Sequence, residues 1–182
     1  MLFRSILLVY NTGRLVCLDT RTNEIKWQQD DLVGELGTDK QGIFTLFVDR
    51  DNDIWMYSPL GIWVYNPEQE KWLSWLTNII KRRSHNMVRA VSQDKQGRIW
   101  IGTDQDGIDI LDKKTGEVRQ LRNKTGDERS LQNNTVMVLY EDSSETMWVG
   151  TYKKGISYFN ECAFKFGAEY IGDISCIEED KI

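Results

Sequence analysis

A chain of 182 residues can bury a sizeable core, and 40% hydrophobic with 28% charged residues is a composition typical of globular proteins. Its formal net charge of −5 argues against the basic surface with which proteins bind nucleic acids. No stretch approaches the roughly 20 apolar residues that cross a bilayer, so we expect this segment to contact neither nucleic acid nor membrane.

The first ten residues resemble a signal peptide only in part. Arg4 precedes an apolar run at residues 6–9, but the run is too short and no small-residue cleavage site follows it. We therefore expect no secretion signal and no anchor on this chain. Residues 15–19 and 22–26 instead match two later segments, 108–112 and 115–119, and indicate a partial copy of a repeat.

Three fuller copies follow, with a period of about 47 residues. An aspartate stands six residues before a tryptophan in each of them: Asp49 and Trp55, Asp94 and Trp100, Asp142 and Trp148. Further on, each copy has a glycine followed by isoleucine, at Gly61, Gly107 and Gly155, and five residues after the glycine come Asn66, Asp112 and Asn160. Residues 174–180 repeat the opening strand of one more copy.

The apolar runs within a copy are short and separated by Asp, Asn, Gly and Thr, which predicts four strands with tight turns and leaves no room for a helix. In the third copy we predict strands at residues 87–93, 98–102, 108–111 and 117–122. Asp94 can bond the backbone of the first turn, and Gly97 can adopt a positive φ there.

Such sheets bury both faces only by stacking, with the tryptophans wedged between neighbours. We therefore predict an all-β chain of about four β-propeller blades, each of four antiparallel strands. The predicted units are a partial blade at 1–33, blades at 43–80, 87–124 and 135–168, and a further blade start or ring-closing strand at 174–182. The repeat positions expected to be structural are Asp49, Trp55, Asp94, Gly97, Trp100, Gly102, Gly107, Asp142, Trp148, Gly150 and Gly155.

Residues 91–107, which run from Val-Ser-Gln-Asp through Trp-Ile-Gly-Thr to Gly107, resemble the two-component regulator propeller repeat. A second match runs from Tyr140 to Gly155, and residues 130–136 resemble the segment that leads into such repeats. The resemblance implies the periplasmic sensor region of hybrid histidine kinases of the Bacteroidetes type, associated with glycan detection and not itself an enzyme. Any kinase activity would then lie on sequence outside this chain.

Two assemblies remain open. Residues 174–179 could complete the first blade and close a small ring of four. The chain could instead be a piece of a larger ring, because the family it resembles builds larger propellers of the seven-bladed type. A piece would have to cover its open terminal blades by pairing with another chain or with a second copy.

Alternate connections in a blade share one face, and here that face carries the variable loops, which favour ligand recognition. Cations there could bind an acidic sugar, and Tyr152 could stack on a sugar ring; the alternative is solvated loop charge. The candidate ligand-binding residues are Arg82, Arg83, Asp104, Gln105, Asp106, Tyr152, Lys153 and Lys154.

We expect neither a cofactor nor a metal site. Residues 104–109 lack the spacing of a calcium loop, and His85, the single histidine, lies in a polar linker, so no catalytic triad can be assembled. Cys17, Cys162 and Cys176 are expected to be buried apolar residues, with a Cys162–Cys176 bridge as the alternative. A protein-interaction scaffold and a sialidase-like enzyme remain the alternative functions, the latter because the Asp-to-Trp hairpin is similar to an Asp-box that is one residue shorter.

Overall fold

The computed structural model describes residues 5–30, 32, 42–83, 87–160, 165–169 and 176–177, of which 81–83 and 165–169 are described by their backbone alone. The strands are β1 (Ser5–Val9), β2 (Leu15–Asp19), β3 (Ile25–Gln29), β4 (Thr45–Val48), β5 (Ile54–Ser58), β6 (Gly61–Asn66), β7 (Lys71–Trp72), β8 (Val88–Gln93), β9 (Ile99–Thr103), β10 (Ile108–Leu111), β11 (Val118–Leu121), β12 (Val136–Glu141), β13 (Met147–Thr151), β14 (Gly155–Asn160) and β15 (Lys165–Glu169). A helix, α1 (Ser74–Arg83), follows β7.

The strands form four antiparallel sheets in chain order, each pairing only consecutive strands. Sheet 1 contains β1–β3, sheet 2 contains β4–β7, sheet 3 contains β8–β11 and sheet 4 contains β12–β15. The predicted all-β architecture is confirmed, and the four strands expected in the third copy lie within one residue of their predicted bounds.

The sheets stack face to face, and strand alternation lets a central sheet bury both of its faces. In β9, Ile99 and Ile101 pack toward sheet 2 in one apolar layer, whereas Trp100 packs toward sheet 4 in the next. Leu15 of sheet 1 packs in the same way against Ile54 and its neighbours in sheet 2. Each sheet therefore obtains its core from its neighbours.

Close approach of the sheets explains the glycine at position 102. A Cβ on Gly102 would lie 2.5 Å from the Cγ1 of Val136 in sheet 4, well inside contact distance. Gly107 is required for a second reason: its φ of +79° is left-handed, and a Cβ there would also collide with the Leu121 carbonyl.

The arc of sheets is open. Among the described residues, sheets 1 and 4 do not pack on each other, so the small closed ring is not formed. The outward face of sheet 1 leaves Ile6 51% exposed, and on sheet 4 Trp148 is only half-buried. Most of the proposed ring-closing segment, 174–182, lies outside the described residues.

Helix α1 corrects the expectation that the chain contains strands only. Leu73, Leu76 and Ile80 are spaced to share one face of a helix, and all three are buried in the layer between sheets 2 and 3. The helix begins directly after a fourth strand of only two residues, so it covers apolar surface that a longer strand would otherwise cover. Among the described residues no helix is long and apolar enough to cross a membrane.

The cysteines follow the prediction in part. Cys17 is buried in β2, as expected for a small apolar side chain. Cys176 is exposed and lies outside the regular elements, contrary to the expectation, because none of the described sheets covers it. Cys162, and with it the alternative bridge, lies outside the described residues.

Candidate functional site

The aspartate and the tryptophan of each full repeat are hydrogen-bonded partners. The indole Nε1–H of Trp55 donates to Asp49 Oδ2 at 2.8 Å, Trp100 donates to Asp94 at 2.8 Å, and Trp148 donates to Asp142 at 2.7 Å. The sequence showed both columns of residues but not that they meet. A buried indole N–H needs an acceptor, and the aspartate supplies it in every full copy.

The other carboxylate oxygen holds the turn between the first two strands of the sheet. Asp142 Oδ1 accepts the backbone N–H groups of Ser144 at 2.9 Å and Thr146 at 2.9 Å. Burial raises the pKa of Asp142, but the indole of Trp148 and these two N–H groups outweigh it, so the pKa lies below its ordinary value. Each aspartate thus joins the turn to the tryptophan that packs at the sheet surface.

A second repeated contact joins neighbouring sheets at these turns. The backbone N–H of Arg50 donates to Gln93 Oε1 at 2.8 Å, and the backbone N–H of Lys95 donates to Glu141 Oε1 at 2.9 Å. Both donors directly follow the repeat aspartate, and both acceptors directly precede it in the next sheet. Because these hydrogen bonds join one sheet to the next, the face of the arc with these turns holds the sheets together. Burial raises the pKa of Glu141, one of the two acceptors.

One buried ionic cluster also joins sheets 2 and 3. The ammonium of Lys113 lies 2.6 Å from Asp49 Oδ2, 2.8 Å from Asp51 Oδ2 and 2.6 Å from Asp53 Oδ2. These carboxylates are close enough together to ligate one metal ion, and the lysine ammonium takes that position instead. Burial lowers the pKa of Lys113, but its hydrogen bonds to the three carboxylates outweigh that effect and raise it; the same contact lowers the pKa of Asp51.

The opposite face of the arc, called the loop face here, is formed by the connections between second and third strands. Two threonines of the repeat shape these loops: the hydroxyl of Thr103 donates to the Gly107 carbonyl at 2.9 Å, and that of Thr151 donates to the Gly155 carbonyl at 2.9 Å. The linker after sheet 3 is tied to both loops, since Gly107 N–H donates to Asn134 O at 2.8 Å and Tyr152 N–H donates to Thr135 O at 3.0 Å.

A cavity of about 410 Å³ opens on the loop face between sheets 3 and 4 and is called the loop-face cavity. Its size suits a small ligand, since ligand pockets measure about 300–1,000 Å³. The lining residues are Arg89, Asp104, Gln105, Thr135, Met137 and Tyr152. Three of the candidate residues predicted from the sequence, Asp104, Gln105 and Tyr152, are therefore brought together.

The remaining candidates lie apart from this lining. Asp106 Oδ1 accepts a hydrogen bond from the guanidinium of Arg122 at 2.5 Å, and Lys153 places its ammonium 4.9 Å from the centre of the Tyr152 ring. Lys154 is exposed beside them. Arg82 and Arg83 belong to the last turn of α1, a helix and not the predicted loop, and their side chains lie outside the described residues, as does His85.

Strand residues complete the cavity and were missed by the sequence analysis. Arg89 and Met137 lie on β8 and β12, the first strands of their sheets, and Thr135 lies just before β12. The sequence did contain a signal for Arg89, because this charged residue stands between the apolar Val88 and Ala90. In the structure Arg89 is exposed, whereas Val88 and Ala90 are buried. Nothing local in the sequence shows that β8 and β12 lie side by side.

The polar groups of the cavity are fixed by one another. Arg89 donates to Asp104 Oδ2 at 2.6 Å, and the hydroxyl of Thr135 donates to Asp104 Oδ1 at 3.1 Å. Only one of the five N–H donors of the Arg89 guanidinium is used by Asp104. Tyr152, 44% exposed, adds an aromatic surface next to these groups. The arrangement suits a ligand that has both hydroxyl groups and an apolar ring face.

Four-stranded antiparallel sheets, stacked in chain order and joined turn to turn, define the blades of a β-propeller. Two stretches of the chain, residues 83–105 and 130–153, match the family model described as "Two component regulator propeller". The two segments that resemble the two-component regulator propeller repeat in sequence therefore match the model of that family, as predicted.

Solved structures with the same fold support the assignment of a β-propeller. The extracellular domain of the putative hybrid two component system BT3049 from B. thetaiotaomicron superposes with a TM-score of 0.60 at 21% identity, over 85% of this chain and 18% of that one. The WD40 β-propeller domain of Doa1 gives a TM-score of 0.60 at 13% identity, over 87% of this chain and 47% of that one. No curated protein sequence is significantly similar to the chain.

Each comparison covers most of this chain but only part of the other protein. This chain spans less than a fifth of the BT3049 domain and about half of the Doa1 chain. At these identities the similarity shows a shared propeller fold, and a fold by itself does not determine function.

Proposed function

We propose that this chain is part of the ligand-sensing propeller of a hybrid two-component receptor, located outside the cytoplasm, and that it binds a carbohydrate without turning it over. The matched repeats and the likeness to the BT3049 extracellular domain support the receptor class. The outward apolar faces of sheets 1 and 4, which resemble the buried layers between the other sheets, support its place as an arc of a larger ring whose further blades cover both faces.

The observation that carries the proposed ligand class is the composition of the loop-face cavity. Sugars present hydroxyl groups around the ring edge and C–H groups on the ring face, so their sites combine fixed polar groups with an aromatic side chain. Arg89, Asp104 and Gln105 provide the former and Tyr152 provides the latter. Asp104 is already held by Arg89 and Thr135, which favours a binding role over proton transfer for this carboxylate.

A thermal-shift screen tests this function. The chain is melted with a panel of neutral and acidic oligosaccharides derived from plant and host glycans, and release of reducing sugar is followed in parallel. We expect at least one oligosaccharide to raise the Tm without product, because a ligand that binds only the folded state stabilises it. Catalytic product formation, or no shift with any member of the panel, would contradict the proposal.

The residue-level test is Tyr152→Ala. Losing the aromatic surface should weaken binding of the active oligosaccharide about tenfold, as about 1.4 kcal/mol does. Tyr10→Ala is the matched control, because Tyr10 is also about half exposed, at 49%, but directly follows β1 and does not line the cavity. Equal affinity of the Tyr152→Ala variant and the control would place the ligand elsewhere.

A further inference from the structure

A second cavity, of about 260 Å³, lies at the outer rim of the arc between β11 and the linker 123–130, and is called the rim cavity. It is separate from the loop-face cavity, with which it shares no lining residue. Its charged lining residues are Arg119, Arg122, Lys124, Asp127 and Arg129.

The charge of the rim cavity is opposite to that of the chain. The whole chain carries a net charge of −5, yet four cations line this cavity with one carboxylate. Arg122 pairs with Asp106 at 2.5 Å, and Arg129 lies 3.6 Å from Asp127 in an exposed contact. Among the described residues Arg119 and Lys124 have no ion-pair partner; Arg119 instead lies 6.0 Å from the centre of the Phe159 ring. Two cations that line the cavity therefore have no partnering carboxylate within the described part of the chain.

The backbone beneath these cations is held in place. Lys124 N–H donates to the Ser130 hydroxyl oxygen at 2.9 Å, and that hydroxyl donates to the Asp127 carbonyl at 2.7 Å. Asn123 Nδ2 donates to the carbonyl of Leu131, a fully buried residue, at 2.6 Å. A fixed loop reduces the entropy lost on binding, so the cations are arranged before a ligand arrives.

The repeat does not explain the cluster. A feature that serves blade packing recurs in each copy, as the Asp–Trp pairs do, whereas the fourth strand of sheet 2 consists only of Lys71 and Trp72 and leads into α1. Like charges held together at a surface repel each other, so the cluster gains stability when an anion enters.

We propose that the rim cavity binds an anionic oxyanion group, a sulfate or phosphate ester, with Arg119 and Lys124 as its main charge partners. Guanidinium groups donate to such oxygens through paired N–H bonds, and a lysine ammonium adds a compact positive charge. The volume, just below the range for ligand pockets, suits one such group carried on a small molecule or on a residue of an acidic saccharide.

The test compares the full chain with the double variant Arg119→Gln/Lys124→Gln by calorimetric titration and thermal shift, using sodium sulfate, sodium phosphate and a sulfated disaccharide at constant ionic strength. The matched control is Arg21→Gln/Lys71→Gln, which removes two exposed cations elsewhere in the described chain. We expect wild type and control to bind at least one probe with similar affinity and the double variant to bind it at least tenfold more weakly. Tighter binding of the disaccharide than of free sulfate would identify a saccharide as the carrier.

Sulfate also stabilises proteins without binding, through exclusion from the surface, and the control separates this effect because exclusion acts on all three proteins alike. Equal shifts for the three proteins with all probes would overturn the proposal. Neither substituted pair lines the loop-face cavity, so this result stands independently of the carbohydrate site.

Discussion

Replacing Lys113 with methionine should lower the free energy of unfolding by about 3–5 kcal/mol, as removal of one partner from a buried ion pair does. Asp49 and Asp53 are almost completely buried, and without the ammonium their charges would face each other across the boundary between sheets 2 and 3. Methionine keeps the length of the side chain, so the loss would report charge and not packing. Urea denaturation measures it.

Lys114→Met is the matched control, because the neighbouring lysine is exposed and forms no ion pair among the described residues; we expect a change of less than about 0.5 kcal/mol there. The difference in free energy of unfolding between the two variants should become smaller in acid. The lowered pKa of Asp51 adds stability above its unfolded value of 3.8 that is lost as pH falls through the folded pKa. Equal stability of both variants at pH 7 would rule out a structural role for the cluster.

Trp100→Ala should cost about 3–5 kcal/mol, the range for removing a buried aromatic side chain. Trp100 is 1% exposed in the layer between sheets 3 and 4 and also donates to Asp94. Trp148→Ala is the matched comparison, since Trp148 makes the same hydrogen bond but packs on a face that no described sheet covers. We expect Trp148→Ala to lower the free energy of unfolding clearly less than Trp100→Ala does. Equal losses in the two variants would contradict the stacking of blades as the source of stability.

Much of the fold could be predicted because the same sequence pattern occurs in several copies. The spacing of Asp94 and Trp100 recurs in two other copies, and strand alternation then assigns Trp100 to one face of its sheet and Ile101 to the other. The helix was missed because Leu73, Leu76 and Ile80 replace the end of one blade only, where the repeat predicts a strand.

The candidate sites were less accessible from the sequence, since each depends on residues that meet only between sheets. Lys113 is 64 residues from Asp49 in the sequence. Its equivalents in the neighbouring copies are Pro67 and Glu161, so comparison of the copies does not predict the contact between Lys113 and Asp49. The loop-face cavity was predicted for its loop residues Asp104 and Tyr152, but Arg89 comes from a strand whose neighbour only the fold determines.

The central claim is that hydrogen-bonded Asp–Trp pairs hold equivalent blades in one stacked arc, and hydrogen exchange of the indole N–H groups tests it most directly. In the ¹⁵N-labelled chain, the indole N–H of Trp55 and of Trp100 should exchange at least about 100-fold more slowly than that of Trp75, which is 48% exposed, corresponding to roughly 2.8 kcal/mol for opening. The indole N–H of Trp148 should exchange at a rate between these two. Exchange of Trp55 and Trp100 as fast as that of Trp75 would contradict the account.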